Sequence, residues 1–254
     1  MSRIGSEVRR IYLGRHGQTL DNALHTLTGE PFHKDRKDVH SSDDLRYHAE
    51  VCGFSVQDLE SITGDDYSAP KPLLVKGLTP LGFVQAEMLG RYMKHFLTPD
   101  TVYVASATAR TDQTMRHALA QTGIDLDGCI YIRKDTLAEQ VPRELFTASP
   151  LYGNDERFTK YADRQPTILE VGFQTYNELS GIAESYPGRD IFAVLHGARN
   201  ACFRKTLSGS ELPLVDLHPS NCSVTTIELD SRFMRELFHI ENGQLEEIVR
   251  KLNT

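Results

Sequence analysis

Short apolar runs alternate with amphipathic helical stretches along this chain, and that alternation restricts it to a layered α/β fold with a mainly parallel sheet. Residues 8–13 (VRRIYL), 101–105 (TVYVA), 129–132 (CIYI) and 190–195 (DIFAVL) read as buried strands, being short, apolar and rich in β formers. Helices are predicted at 78–97, 109–122, 171–186 and 198–207. In the first of these, Thr79 suits the N-cap and Pro80 the first helical position. Its apolar stripe is expected at Leu81, Val84, Met88, Leu89, Tyr92 and Phe96. Gly123, Pro187-Gly188 and Gly209 mark the stops of the later helices. Residues 223–229 and 236–240 read as an antiparallel hairpin at the sheet edge, followed by a short helix at 244–252.

Composition narrows the function classes. The formal charge of −7 over 254 residues makes a general binder of nucleic acid or of an anionic membrane a poor fit. A local basic pocket for a small anion remains compatible with it. No stretch approaches the roughly 18 apolar residues of a membrane span, and the opening MSRIGSEVRR has no apolar leader core. Cys52, Cys129, Cys202 and Cys222 are scattered without a CxxC pair, which fits reduced thiols in a cytoplasmic protein. Neither nucleic acid nor membrane is therefore expected as a partner. A homodimer is kept as an option.

The strand ends carry the chemistry. Two apolar runs finish in histidine followed by glycine, YLGRHG and AVLHGA. Gly14 and Gly17 flank Arg15-His16, and glycines there allow a sharp turn. Arg110 follows the second strand as Arg15 follows the first. In a parallel sheet such positions converge outside the carboxyl ends of the strands. Two arginines and two histidines suit a phosphoryl group: guanidinium forks bind its oxygens, and a neutral imidazole can attack phosphorus. A single strand-end histidine is ordinarily part of a turn. The second His-Gly, with Arg110 between, argues against that plain reading.

These motifs resemble the histidine phosphatase superfamily, in its cofactor-dependent phosphoglycerate mutase-like branch. YLGRHGQTLDN is similar to the opening motif, with Asp21 where the family often has Trp. LTPLGFVQAEMLGRYM resembles the first helix, VASATARTDQTM the segment with the second arginine, TLAEQ the Leu-x-Glu segment, FAVLHGARNACF the second histidine block, and HPSNCSVTTIEL the closing strand region. The resemblance implies a three-layer sandwich with a mainly parallel central sheet flanked by helices, plus an inserted cap-like segment. It implies one domain over 1–254 with an insertion at about 30–76. It assigns His16 as the phosphorylated nucleophile, Arg15 and Arg110 as phosphoryl ligands and His196 as the second pocket histidine. Gln18, Asn22 and the Thr28-Gly29 pair fall on positions that line the pocket or touch substrate. Glu139 is implied as proton donor, although QVPRELF follows it where the family commonly has a Gly-containing stretch, and Glu144 is the competing carboxylate.

The implied reaction is phosphomonoester hydrolysis of a small phosphorylated substrate, without metal or cofactor. The alternatives are a mutase-type phosphotransferase and a non-catalytic phospho-ligand scaffold. His16 has to be unprotonated on its attacking nitrogen, which a backbone acceptor for its other N–H would secure. A proton-donating Glu139 needs its pKa raised by burial or by an anionic phosphate. The insertion, with His33, His40, His48 and clustered charges, reads either as a solvated excursion or as a lid over the site. Two weakly helical stretches are expected within it, at 43–51 and 55–62. In the lid reading, Lys34, Arg36, Lys37 or Arg46 would meet a second anionic group. Its histidine spacing matches no standard zinc pattern. Arg143, Tyr152 and Arg157 are candidate contacts for the leaving group.

Overall fold

The computed structural model describes residues 9–19, 22, 77–140, 142–144, 164–230 and 233–252. Six strands form one open sheet: β1 (Arg9–Arg15), β2 (Val102–Ser106), β3 (Tyr131–Lys134), β4 (Ile191–Leu195), β5 (Val224–Leu229) and β6 (Met234–Ile240). Their spatial order is β3-β2-β4-β1-β5-β6. The first four strands in that order are mutually parallel, whereas β5 runs antiparallel to β1 and β6 antiparallel to β5. The expected mainly parallel sheet with a hairpin at one edge is what the chain builds.

Strand side chains alternate between the two faces, and each face is buried. Tyr12, Tyr103, Phe192, Val194 and Val224 pack on one side with α1 (Pro80–Met93), α2 (Ala109–Ala120) and α5 (Asn242–Leu252). Ile11, Leu13, Val102, Val104, Ile191, Ala193 and Leu195 pack on the other with α3 (Ile168–Ser185) and α4 (Gly197–Ser208). The result is the expected three-layer sandwich. Both faces of β4 are buried because helices cover both, which is why IFAVL is continuously apolar.

Local chemistry sets the helix ends. The Thr79 hydroxyl accepts from the Gly82 N–H, with Pro80 at the first turn. Gly123 and Gly209 take positive φ, 75° and 59°, just past α2 and α4. Three expectations are corrected. Leu81 and Val84 are exposed, at 51% and 55%, because α1 buries the neighbouring stripe of Ala86, Leu89 and Met93. The third strand starts two residues later than CIYI, because a 3-10 turn at Leu126–Gly128 is closed by Cys129 and pairing begins at Tyr103 with Tyr131. The helix expected at 171 begins at Ile168, since Thr167 and Glu170 form a reciprocal capping box.

The loop after β1 returns to the fold through Thr19, which bridges Leu78, while the Thr79 N–H donates to the Gln18 carbonyl at 2.9 Å. Both ends of the intervening stretch are thus fixed beside β1. Most of that stretch, including Thr28, Gly29 and the whole 30–76 insertion, lies outside the described residues, as do Tyr152 and Arg157. Among the described residues, no helix is long and apolar enough to cross a membrane.

Helix α1 lies against α2 at Gly90, where a Cβ would overlap the carbonyl oxygen of Ala118. Gly90→Ala is expected to lower unfolding free energy by about 1–3 kcal/mol, the range for overpacking, read by urea denaturation. An unchanged midpoint would mean that the two helices can separate freely.

Candidate active site

Strands β1, β2 and β4 are parallel and in register, so the chain leaves Arg15, Ser106 and Leu195 at one edge of the sheet. Strand β1 continues through Gly14, which pairs with Val194 and Val224; the turn expected at Gly14 is instead strand. The sharp approach is at Gly17, where a Cβ would lie 2.5 Å from the Gly82 carbonyl oxygen. The His16 N–H donates to the Leu195 carbonyl (3.1 Å) and the His16 carbonyl accepts from Asn221 Nδ2 (3.0 Å). His16 is therefore held from both sides, and it is 2% exposed.

Partner chemistry dictates the His16 tautomer. Nδ1 lies 2.7 Å from the Gly17 carbonyl oxygen, which can only accept, so Nδ1 carries the proton. Arg110 Nε lies 3.2 Å from Nε2 and can only donate, so Nε2 carries a lone pair. The backbone acceptor expected from the sequence is thus Gly17. The same logic applies to His196. Arg110 Nη2 donates to its Nδ1 (3.1 Å), which leaves Nε2–H to donate to Ser106 Oγ (2.6 Å).

Arg110 Nη2 also donates to Glu139 Oε2 at 3.1 Å. One guanidinium therefore serves two imidazole lone pairs and a carboxylate. Burial pushes the His16 pKa well below its ordinary value, and Arg110, His196 and Arg15 push it the same way. Burial also takes His196 down to about 3, with Glu139 opposing and Arg110 adding to the shift. Both rings are neutral at physiological pH. Burial pushes the Glu139 carboxyl up, but His196, Arg110, Arg15 and the Ala198 N–H together outweigh it and the net shift is down. Burial alone does not supply the raised pKa anticipated for this group, so any rise has to come from an anionic ligand.

Arg15 Nη1 donates to the Pro219 carbonyl at 2.6 Å, while its buried Nε has no hydrogen-bond partner among the described residues. A Cβ on Gly197 would lie 3.0 Å from that Nε and 2.5 Å from His218 Nε2, so glycine there leaves room for both side chains. An orphaned buried donor is costly, and a phosphoryl oxygen is a fitting acceptor for it.

The structure brings Arg15, His16, Arg110, Glu139 and His196 together. Gln18 is turned to another duty: its Oε1 accepts from the Thr79 hydroxyl (3.0 Å) at the cap of α1. Asn22 Oδ1 accepts from Thr19 Oγ1 (3.1 Å) and from Asn221 Nδ2 (3.2 Å), the amide that also holds His16. Glu144 is separated from Glu139, since its carboxylate caps α3 at the Ile168 N–H, 3.1 Å from Oε2. The Arg143 N–H donates to the Pro166 carbonyl at 2.8 Å.

Ser106, Asn221, His218 and Arg199 were not singled out from the sequence as site residues. Arg199 had a readable signal, as a lone charge within the otherwise uncharged run HGARNACF. Among the described residues, His16, His196 and Glu139 are the group whose ligand atoms, all within 4.8 Å of one another, could share a metal ion. The Arg110 guanidinium already donates to all three.

Solved structures of the same fold include a phosphoglycerate mutase from Bacillus anthracis, at 15% identity and a TM-score of 0.60, covering 95% of this chain and 97% of that one. A phosphoserine phosphatase variant from Entamoeba histolytica, bound to phosphoserine, has 15% identity and a TM-score of 0.54, over 93% and 99% of the two chains. A mycobacterial glucosyl-3-phosphoglycerate phosphatase has 17% identity and a TM-score of 0.51, over 92% and 98%. At these identities the likeness is one of fold. A search of curated proteins finds no match. The sequence model of the histidine phosphatase superfamily (branch 1) matches residues 76–239, which carry Arg110, Glu139 and His196. The chain belongs to the histidine phosphatase superfamily, branch 1.

Proposed function

We propose that this chain is a metal-independent phosphomonoester hydrolase that works through a phosphohistidine at His16 on a small phosphorylated metabolite of the cytoplasm. The observation that carries the reading is a neutral, buried imidazole with its Nε2 lone pair set by the Gly17 carbonyl and faced by Arg110. That nitrogen attacks phosphorus, forming an N–P bond as the ester P–O bond breaks. Arg15 and Arg110 bind the equatorial oxygens, whose charge has to be stabilised throughout the transfer. Glu139 gives its proton to the departing alkoxide. Water then attacks phosphorus, passes a proton to Glu139 and releases phosphate, restoring His16. The 30–76 insertion, whose flanking residues return beside β1, is proposed to select the substrate.

Incubation with a 32P-labelled phosphomonoester panel that includes phosphoglycerates is expected to give acid-labile label on His16 and free phosphate. His16→Ala should remove both while keeping the fold. Isomerised phosphoglycerate without phosphate release would make the chain a mutase, and no label from any substrate would make it a scaffold.

The free enzyme starts with Glu139 ionised and His16 neutral, so the proton for the leaving group has to arrive with the substrate. A phosphomonoester loses its second proton near pH 6. The value of kcat/KM is therefore expected to fall more than about tenfold between pH 6 and pH 8, following the monoanion, with no rising limb at the ordinary histidine value of about 6.5. A profile that rises through pH 6.5 to a plateau would show His16 titrating normally and the proton coming from elsewhere.

Turnover should survive dialysis against EDTA. Loss of activity that zinc or another divalent ion restores would place a metal among His16, His196 and Glu139.

A further inference from the structure

We propose that Arg199 is a positioning residue, which acts by fixing the backbone that carries Glu139. The proposal rests on the reading of Glu139 as proton donor. Arg199 lies in the first turn of α4, three residues after His196, and is 0% exposed. Its Nε donates to the Ala138 carbonyl at 2.8 Å, and its Nη2 to Gln140 Oε1 at 3.0 Å and Gln174 Oε1 at 3.3 Å. Its Nη1 donates to Thr175 Oγ1 at 2.9 Å and to Gln174 Oε1 at 3.4 Å. The guanidinium thus grips the residues immediately before and after Glu139 and ties them to α3.

Glu139 needs such support. Its carboxylate is 31% exposed at the side chain, and besides its pair with Arg110 its contacts among the described residues are long ones, to the Ala198 N–H at 3.4 Å and to His196 Nδ1 at 3.6 Å. A bound phosphoryl group would compete for that arginine. The segment leading to it has left the sheet edge at β3 and passes through a 3-10 turn at Asp135–Leu137. A proton donor must stay within about 3 Å of the atom it serves, so the peptide on either side has to be fixed by something that does not contact the substrate.

The chemistry of the contacts favours this role over simple stabilisation. A buried guanidinium is expensive to desolvate, and apolar side chains of similar size commonly serve stability as well or better. Every acceptor that Arg199 reaches among the described residues is neutral: a carbonyl, two amides and a hydroxyl. Among the described residues the Arg199 guanidinium makes no ion pair, and the Glu139 and Glu178 carboxylates only partly offset the effect of burial. What the planar fork adds is a rigid, multi-point bracket, and it is placed on both neighbours of Glu139.

The test compares p-nitrophenyl phosphate, whose phenolate leaves without a proton, with glycerol 2-phosphate, whose alkoxide requires one. The value of kcat/KM covers the steps through leaving-group departure and excludes phosphohistidine hydrolysis, so the ratio of the two substrates isolates proton donation. Glu139→Gln should raise the aryl-to-alkyl ratio by about 100-fold or more, the general-acid range. Arg199→Lys should raise it in the same direction by about tenfold, with its melting transition intact. Gln140→Met, which removes one anchor, should raise it by about threefold and decides the matter if Arg199→Lys does not fold. If Glu139→Gln shifts the ratio while the other two variants slow both substrates equally, Arg199 is only a bolt between helices and the proposal falls alone. If Glu139→Gln leaves the ratio unchanged, or the wild type acts on neither substrate, the functional reading fails first.

Discussion

The arrangement of the site follows from one guanidinium. Arg110 can only donate, and it donates to His16 Nε2, His196 Nδ1 and Glu139 Oε2. Those contacts select the form in which each partner carries a free electron pair. Each imidazole must then place its proton on the far nitrogen, and the surroundings supply acceptors there, the Gly17 carbonyl and Ser106 Oγ. Both imidazoles are withdrawn from water, so their interactions are stronger than they would be at a surface. The same burial holds both imidazoles neutral, which leaves the His16 lone pair available for attack.

That constellation depends on elements far apart in sequence. Arg110 comes from the start of α2 and Glu139 from the segment after β3. Arg15 is anchored by the Pro219 carbonyl, in the loop that leads into β5. The loop is braced in turn from the junction of β6 and α5. The Glu241 carboxylate accepts from His239 Nε2 at 2.7 Å and from the Ser220 N–H at 2.9 Å. Burial pushes the Glu241 pKa up, but its hydrogen bonds to His239 and Ser220 take it down to about 2, so it stays ionised as a strut across the working pH range. The antiparallel edge of the sheet thus supports the arginine at its centre. Close approaches at Gly17, Gly90 and Gly172 hold the helices where the site needs them.

Elements with strong local signals were readable without the fold. Thr79-Pro80 starts α1, the strand DIFAVL spans β4 almost residue for residue, and Gly123 and Gly209 end their helices. The start of α3 was also written locally, in the Thr167–Glu170 capping box, although the apolar pattern alone placed it three residues late. Leu81 and Val84 show where pattern fails. Both fit an apolar stripe, but which of two adjacent stripes faces the core depends on how α1 lies against α2 and the sheet.

The sequence by itself determined the layered α/β class and placed Arg15, His16, Arg110 and His196 at or just past strand ends, because strand period, helix caps and the direction of parallel strands are local properties. Only the tertiary structure set Glu139 against Arg110 and Glu144 at the start of α3. The two lie close in sequence, and nothing in their spacing says that one turns to Arg110 while the other caps α3. It also decided that Gln18 holds the α1 cap and that Arg199 brackets Glu139. Such roles are set by partners up to 61 residues away, and a hydrogen bond of that reach exists only once packing has brought its two ends together.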